Sequence, residues 1–256
     1  MSLDKTIAVI LAAGRGKRLG NLTLDNPKCL VLVQGLSILY YQLSAIRKAG
    51  ISDVVMVTGF LDKKIEKYAL ENFPELRFKF VHNALDTSNT LYSLALAAEV
   101  IGGDMEVLQL NGDVIFDQSI IEALFSADRL RSYVSLEKKI CGEEEIKIVL
   151  ASSGAAAFLN KNVAPEEAIG EAIGINKFSP KFWAALSNNL KLLKDKYFNE
   201  YFEYAIEWTI AEGHQIYPLD IGDRYAIEID FPEDLERVEK LFHSPIHGYA
   251  KTFQSA

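Results

Sequence analysis

The chain reads as an α/β protein built on a doubly wound, mostly parallel sheet with a small antiparallel insertion. Three observations carry that expectation. Short β-branched apolar runs alternate with stretches of helical period over the first half, the second half changes to short alternating strands, and a glycine loop follows the first apolar run. Each parallel return needs a covering helix, and the first half has that rhythm.

The elements follow in order. "TIAVILA" (6–12) is a buried strand, and "LSILYYQLSAIRKAG" is a helix that stops at Gly50. "DVVMVTG" is the next strand, a charged amphipathic helix runs from about Leu61 to Asn72, and "LRFKFVH" is a strand. "NTLYSLALAAEVIGG" is a helix capped by Ser88 or Asn89, and "MEVLQLNGDVIF" follows as strand. "SYVSLEKK", "EIKIVLASS", "GAAAFLN" and "GEAIGINKFS" are the strands of the antiparallel part. Helices are expected near Pro180 to Lys196 and Glu200 to Glu212, then strands at "QIYPLD" and "YAIEID". The last helix is "PEDLERVEKLF", with Pro232 in its first turn. Periodicity ends after Phe242, which predicts a loosely held tail.

Composition limits the function. A chain of 256 residues can bury one substantial core, so a single domain over 1–256 is expected. No apolar run is long enough to cross a bilayer. A net charge of -8 repels nucleic-acid backbones and acidic membranes. Two cysteines, Cys29 and Cys141, make neither a disulfide framework nor a cysteine-rich metal site, and a reducing cytoplasm is the simplest setting. The four histidines, His82, His214, His243 and His247, have no metal-ligand spacing on a helix.

Against that acidic background, "LAAGRGKRLG" (11–20) is a local exception. Its glycines, Gly14, Gly16 and Gly20, fit neither the dinucleotide pattern nor the phosphate loop that ends in Gly-Lys-Ser/Thr. They still let main-chain N–H groups approach a ligand, and Arg15, Lys17 and Arg18 add positive charge, a combination that suits a polyphosphate or a solvated turn. Pro27-Lys28 and Asn111-Gly112-Asp113 favour the polyphosphate. In open α/β sheets ligands bind at the carboxyl ends of the strands, where both the loop and Asp113 fall. A carboxylate opposite a cationic loop makes sense when a divalent cation bridges it to phosphate oxygens. Asp113 and Asp230 could otherwise cap a turn and the last helix.

"LAAGRGKRL", "NPKCL", "LNGDVIF" and "YAIEIDFPEDLERVEKLF" together resemble the nucleotidyltransferases that make nucleotide sugars and other nucleotide-activated alcohols. "SNTLYSL" and "GEAIGINKFS" are similar to the branch of cytidylyltransferases acting on phosphocholine, 2-aminoethylphosphonate and related small acceptors. The resemblance implies a Rossmann-like nucleotidyltransferase fold with a nucleotide-binding half at about 6–130. An acceptor-binding half at about 131–242 would return a metal carboxylate, ahead of a tail at 243–256. It implies that Leu11, Ala12, Ala13, Gly14 and Gly16 hold the nucleotide, that Arg18 grips the β- and γ-phosphates, and that Lys28 reaches the α-phosphate and the acceptor phosphate. Asp113 and Asp230 would bind Mg²⁺, and Asn83, Ser88 and Asn89 would recognise base and ribose. Lys161 and Glu171 would contact the acceptor; the family's usual isoleucine-serine before that lysine is Leu159-Asn160 here.

Arg18, Lys28 and Asp113 are thus the expected catalytic set, and CTP with a phosphorylated or phosphonylated alcohol the expected partners. The chemistry implied is Mg²⁺-dependent transfer of CMP with release of pyrophosphate. A hexose-1-phosphate nucleotidyltransferase using UTP or dTTP and a silent nucleotide-binding regulatory module are the alternatives. Tyr201, Tyr204 and Trp208 recur at helical spacing beside Glu203, either as ordinary packing or as a cage for a quaternary ammonium. Glu203 is therefore a further acceptor-binding candidate. A homodimer is left open by the sequence.

Overall fold

The structure, a computed structural model, describes residues 5–85 and 87–243. The tail expected after Phe242, with His247, lies outside them apart from the backbone of His243. The first half contains β1 (Thr6–Ala12), β2 (Leu32–Val33), β3 (Leu36–Ser37), α1 (Ile38–Lys48), β4 (Asp53–Thr58) and α2 (Asp62–Asn72). It continues with β5 (Arg77–His82), α3 (Thr90–Val100), β6 (Glu106–Asn111), β7 (Val114–Phe116) and α4 (Ser119–Ser126). The second half contains β8 (Ser132–Glu137), β9 (Lys147–Leu150), β10 (Ala156–Asn160), β11 (Glu171–Phe178) and α5 (Pro180–Leu193). After these come α6 (Phe202–Ala211), β12 (Ile216–Asp220), β13 (Ala226–Glu228) and α7 (Pro232–His243).

β1 lies between β4 and β6, with β5 beyond β4, and all of these pairings are parallel. The antiparallel strands are present as expected, and they continue this same sheet. β11 runs antiparallel to β6, β8 and β12 extend it on one side, and β9 with β10 extends it past the start of β11. The free edge of β6 is thereby paired rather than left open.

Both faces of the sheet are covered, which explains why β1 is apolar throughout. Ala8, Ile10 and Ala12 pack toward α1, α2 and α4, whereas Val9 and Leu11 pack toward α3, α5 and α6. A third, smaller core joins Leu19, Val33, Ile115, Ile229 and Val238, fastening the glycine loop to α7 and to the β7–β13 ribbon.

The reading along the chain differs in three places. Leu36 and Ser37, expected at the start of the first helix, close a short hairpin of β2 with β3 instead. "MEVLQLNGDVIF" is two strands: the chain bends after Asn111 and β7 pairs with β13. Gly112 makes the bend because a Cβ there would lie 2.5 Å from the Leu11 carbonyl oxygen. α4 was not anticipated, because its eight residues, mostly apolar, carry too short a pattern to separate helix from strand. Its start is marked by Asp117 Oδ1, which accepts from the Ser119 amide at 2.9 Å. Of the two candidate caps of α3, Asn89 takes the role by accepting from the Thr90 amide.

Candidate active site

The glycine loop folds back onto Lys28. Gly16 has φ +63°, a left-handed conformation, and a Cβ there would lie 2.9 Å from Lys28 Cβ. Thr23 Oγ1 donates to the Gly16 carbonyl at 2.7 Å and closes the loop. Lys28, only 8% exposed, opens a short 3₁₀ turn after Pro27. Its Nζ donates to Asp113 Oδ2 at 2.5 Å and also to Asp230 Oδ1. Burial pulls the lysine pKa down, but Asp113 and Asp230 outweigh it and raise it above the ordinary value. Burial opposes ionisation of Asp230, and Lys28, then Arg18, overcome it and hold that carboxyl below its usual range. The ammonium is thus a fixed charge, clamped between two carboxylates.

Main-chain bonding brings the aspartates together. The Ile229 amide donates to the Asp113 carbonyl at 3.0 Å. Asp230 leaves the capping of α7 to Asp234, whose Oδ2 accepts from the amides of Asp230 and Phe231 at 2.9 and 2.8 Å. The Asp230 carboxylate is consequently available to Lys28 and to Arg18, whose Nη1 lies 3.1 Å from its Oδ2. Two carboxylates converging on one cation suit Mg²⁺, which takes one or two protein carboxylates together with substrate phosphates. Among the described residues no cluster of three or more ligating side chains is arranged to hold a metal.

Two cavities meet at Asp113. One, of about 420 Å³, is lined by Leu11, Ala13, Gly14, Asn83, Ser88 and Asn89 from the expected nucleotide set, with Arg15, Phe60 and His82. Ala12 and Gly16 do not line it: Ala12 is buried in the sheet core and Gly16 backs Lys28. Asn83 is buried and held by its own loop, donating to Ser88 Oγ and Ser93 Oγ at 2.9 and 3.0 Å. The guanidinium of Arg15 lies over the Phe60 ring, 4.7 Å from its centroid.

The other cavity, of about 580 Å³, is lined by Arg18, Asp113, Lys161, Glu171, Glu203 and Asp230, with Glu144, Glu145, Tyr201 and Glu228. Arg18, expected on the β- and γ-phosphates, faces this side and stacks on Phe231 at 5.4 Å. Lys161 lies over the Tyr201 ring at 4.7 Å and pairs with Glu144 at 3.1 Å. Glu203 is buried and its Oε2 has no hydrogen-bond partner; desolvation pushes its carboxyl up to about 7. The aromatic stripe divides: Tyr201 lines the cavity, while Tyr204 packs between Tyr197 and Trp208 at 4.9 and 6.3 Å.

Two contributors escaped the sequence reading. Gln42, fully buried on α1, donates through Nε2 to the carbonyls of Asn111 and Val114 at 2.8 and 2.9 Å and so grips the bend that carries Asp113. A polar residue amid the apolar face of a helix was the available signal. Glu228 keeps one side open to the cavity, yet desolvation and then the charges of Asp113, Glu171 and Asp230 push its carboxyl up to about 8.

Residues 8–156, more than half the chain, match the MobA-like NTP transferase domain. The chain belongs to that family. The transferase is 26% identical to the CTP:phosphoglutamine cytidylyltransferase of Campylobacter jejuni, over 91% of this chain and 99% of that one. It is 28% identical to the CMP-5'-(3-aminopropyl)phosphonate synthase of Streptomyces rubellomurinus over 93% of its own length, but spans only 39% of that longer protein. Its fold matches the inositol-1-phosphate CTP transferase from T. maritima with a TM-score of 0.76 and 21% identity, covering 92% of this chain and 94% of that one. These relationships make the protein a nucleotidyltransferase, which removes the silent regulatory module from consideration.

Proposed function

We propose that the transferase moves CMP from CTP to a small phosphorylated or phosphonylated alcohol that also carries an amine, in a Mg²⁺-dependent reaction. The observation that carries this reading is the meeting of the two cavities at Asp113, whose carboxylate is held by Lys28, the ammonium that also holds Asp230 of the second cavity. A nucleotide in the first cavity would present its α-phosphorus to an acceptor held in the second. The acid wall of the second cavity, Glu144, Glu145, Glu171 and Glu203, favours an ammonium-bearing acceptor over a neutral hexose, with Lys161 and Arg18 for its phosphate. The two cytidylyltransferase relatives, for phosphoglutamine and for an aminopropylphosphonate, are consistent with that class.

An oxygen of the acceptor phosphate attacks the α-phosphorus in line, the new O–P bond forms, and the bond from the α-phosphorus to the α,β-bridging oxygen breaks, its electron pair leaving on that oxygen with pyrophosphate. The nucleophile is already an anion, so no general base is needed. Lys28 offsets charge on the transferring phosphoryl group and on the acceptor, and Arg15, which lines the nucleotide cavity, can serve the leaving phosphates. Asp113 and Asp230 would hold Mg²⁺, and the chemistry it would supply is charge neutralisation and alignment of the phosphate chain. The backbone of Leu11, Ala13 and Gly14 would support the nucleotide, and Asn83, Ser88 and Asn89 its base and ribose.

The test is pyrophosphate release with Mg²⁺, with each common nucleoside triphosphate set against aminoalkylphosphonates, phosphocholine, phosphoglutamine, inositol and glycerol phosphates, and hexose-1-phosphates. Turnover is expected with CTP and an amine-bearing acceptor. Turnover confined to UTP or dTTP with a hexose-1-phosphate would overturn the reading.

A further inference from the structure

Lys147 is almost wholly buried, yet it lies one turn of chain from the acceptor cavity and takes no part in the chemistry above. On β9 it faces Asn160 of β10 and Glu171 of β11 in the sheet register, so it stands where the two strands leading into the cavity converge. Its Nζ donates to three main-chain carbonyls: Lys161 at 2.6 Å, Glu145 at 3.2 Å and Glu143 at 3.4 Å. Three donors meet three acceptors, which is the full capacity of an ammonium.

Those carbonyls belong to two segments that both line the cavity and whose side chains meet in the Lys161–Glu144 ion pair. One carries Glu144 and Glu145, the other Lys161. The second segment is also braced from outside. Glu207 Oε1 accepts from the Leu159 amide and Asn160 Nδ2, and Asn160 Oδ1 accepts from the amides of Asn162 and Val163. These bonds hold the turn around Lys161 on β10, and Lys147 ties that turn from beneath to the acidic loop, which it also meets through the Lys161–Glu144 ion pair.

We propose that Lys147 is a positioning residue for acceptor recognition: by holding the Glu143–Glu145 loop and the Lys161 turn on one buried ammonium, it sets where the charged side chains of both segments stand in the cavity. The inference rests on the assignment of this cavity to the acceptor. Without the ammonium, three carbonyls lose a charged donor and the two segments separate, so an acceptor bearing both charges is no longer gripped at both ends.

Two readouts test it. In Lys147→Met, hydrogen exchange should quicken together in 142–146 and 160–163 while the nucleotide-cavity segments 11–16 and 83–89 keep wild-type protection; this needs no acceptor and stands even if the proposed substrates fail. In turnover, the acceptor KM should rise at least tenfold while the triphosphate KM stays within about twofold. Adding Lys161→Met should cost clearly less than Lys161→Met does alone, because the Lys161 side chain is already displaced when Lys147 no longer holds its carbonyl. Should Lys147→Met not fold, Lys147→Gln, with a shorter donor, is read in the same way. Unchanged exchange in either segment, equal losses in both KM values, or fully multiplicative losses in the double variant would overturn the proposal.

Discussion

Lys28 Nζ lies 2.5 Å from Asp113 Oδ2, in a part of the chain where a strand-end carboxylate would otherwise face empty cavity. The same ammonium holds Asp230, so one side chain both balances the carboxylate pair and stands ready for the phosphates. Replacing it as Lys28→Met should lower turnover by ~10²- to 10³-fold, in line with removal of one preorganised electrostatic donor. Steady-state pyrophosphate release checks this; a loss below threefold would remove Lys28 from the transition state.

Gln42 offers a sharper test of positioning. Gln42→Leu leaves the Asn111 and Val114 carbonyls without their buried donor, at a cost of about 1–3 kcal/mol in stability. Turnover per folded molecule should fall by about tenfold, because Asp113 rides on the bend those carbonyls define. Thermal melts and kinetics on the same preparation separate the two effects, and a stability loss with wild-type turnover would assign Gln42 to packing.

Asp234 should behave differently from Asp230 despite standing four positions away. Asp234→Ala removes the acceptor for two amides at the start of α7 and should cost about 1 kcal/mol. Asp230→Asn removes the negative charge that faces Lys28 and Arg18 and should abolish most Mg²⁺-dependent turnover with little change in melting temperature. If the alanine variant is the more inactive of the two, the division of roles is wrong.

Glu203 predicts a pH dependence of stability. Its carboxyl is raised from 4.5 to about 7 in the fold, so between those values the folded protein binds more protons than the unfolded chain. Stability therefore falls as pH rises from about 5 to 7, by at most ~1.4 kcal/mol per pH unit from this group. Glu203→Gln should flatten that slope in melts taken across the range. An unchanged slope would show that Glu203 is already ionised in the native state.

The sequence alone determined the strand and helix periods, the glycine loop with its cations, and the acidic residues at strand ends, because those signals are local. It also carried the family resemblance, since the motifs are contiguous. What only the tertiary structure decided is which of these groups meet. The return of Asp230 to Asp113 depends on a ribbon between β7 and β13, the placement of Arg18 on Asp230 depends on the folded loop, the role of Gln42 depends on carbonyls far away in the chain, and that of Lys147 on the pairing of β9 with β10. Periodicity reports which face of an element is buried; it does not report which main-chain atoms wait there, and a buried polar side chain takes its function from those atoms.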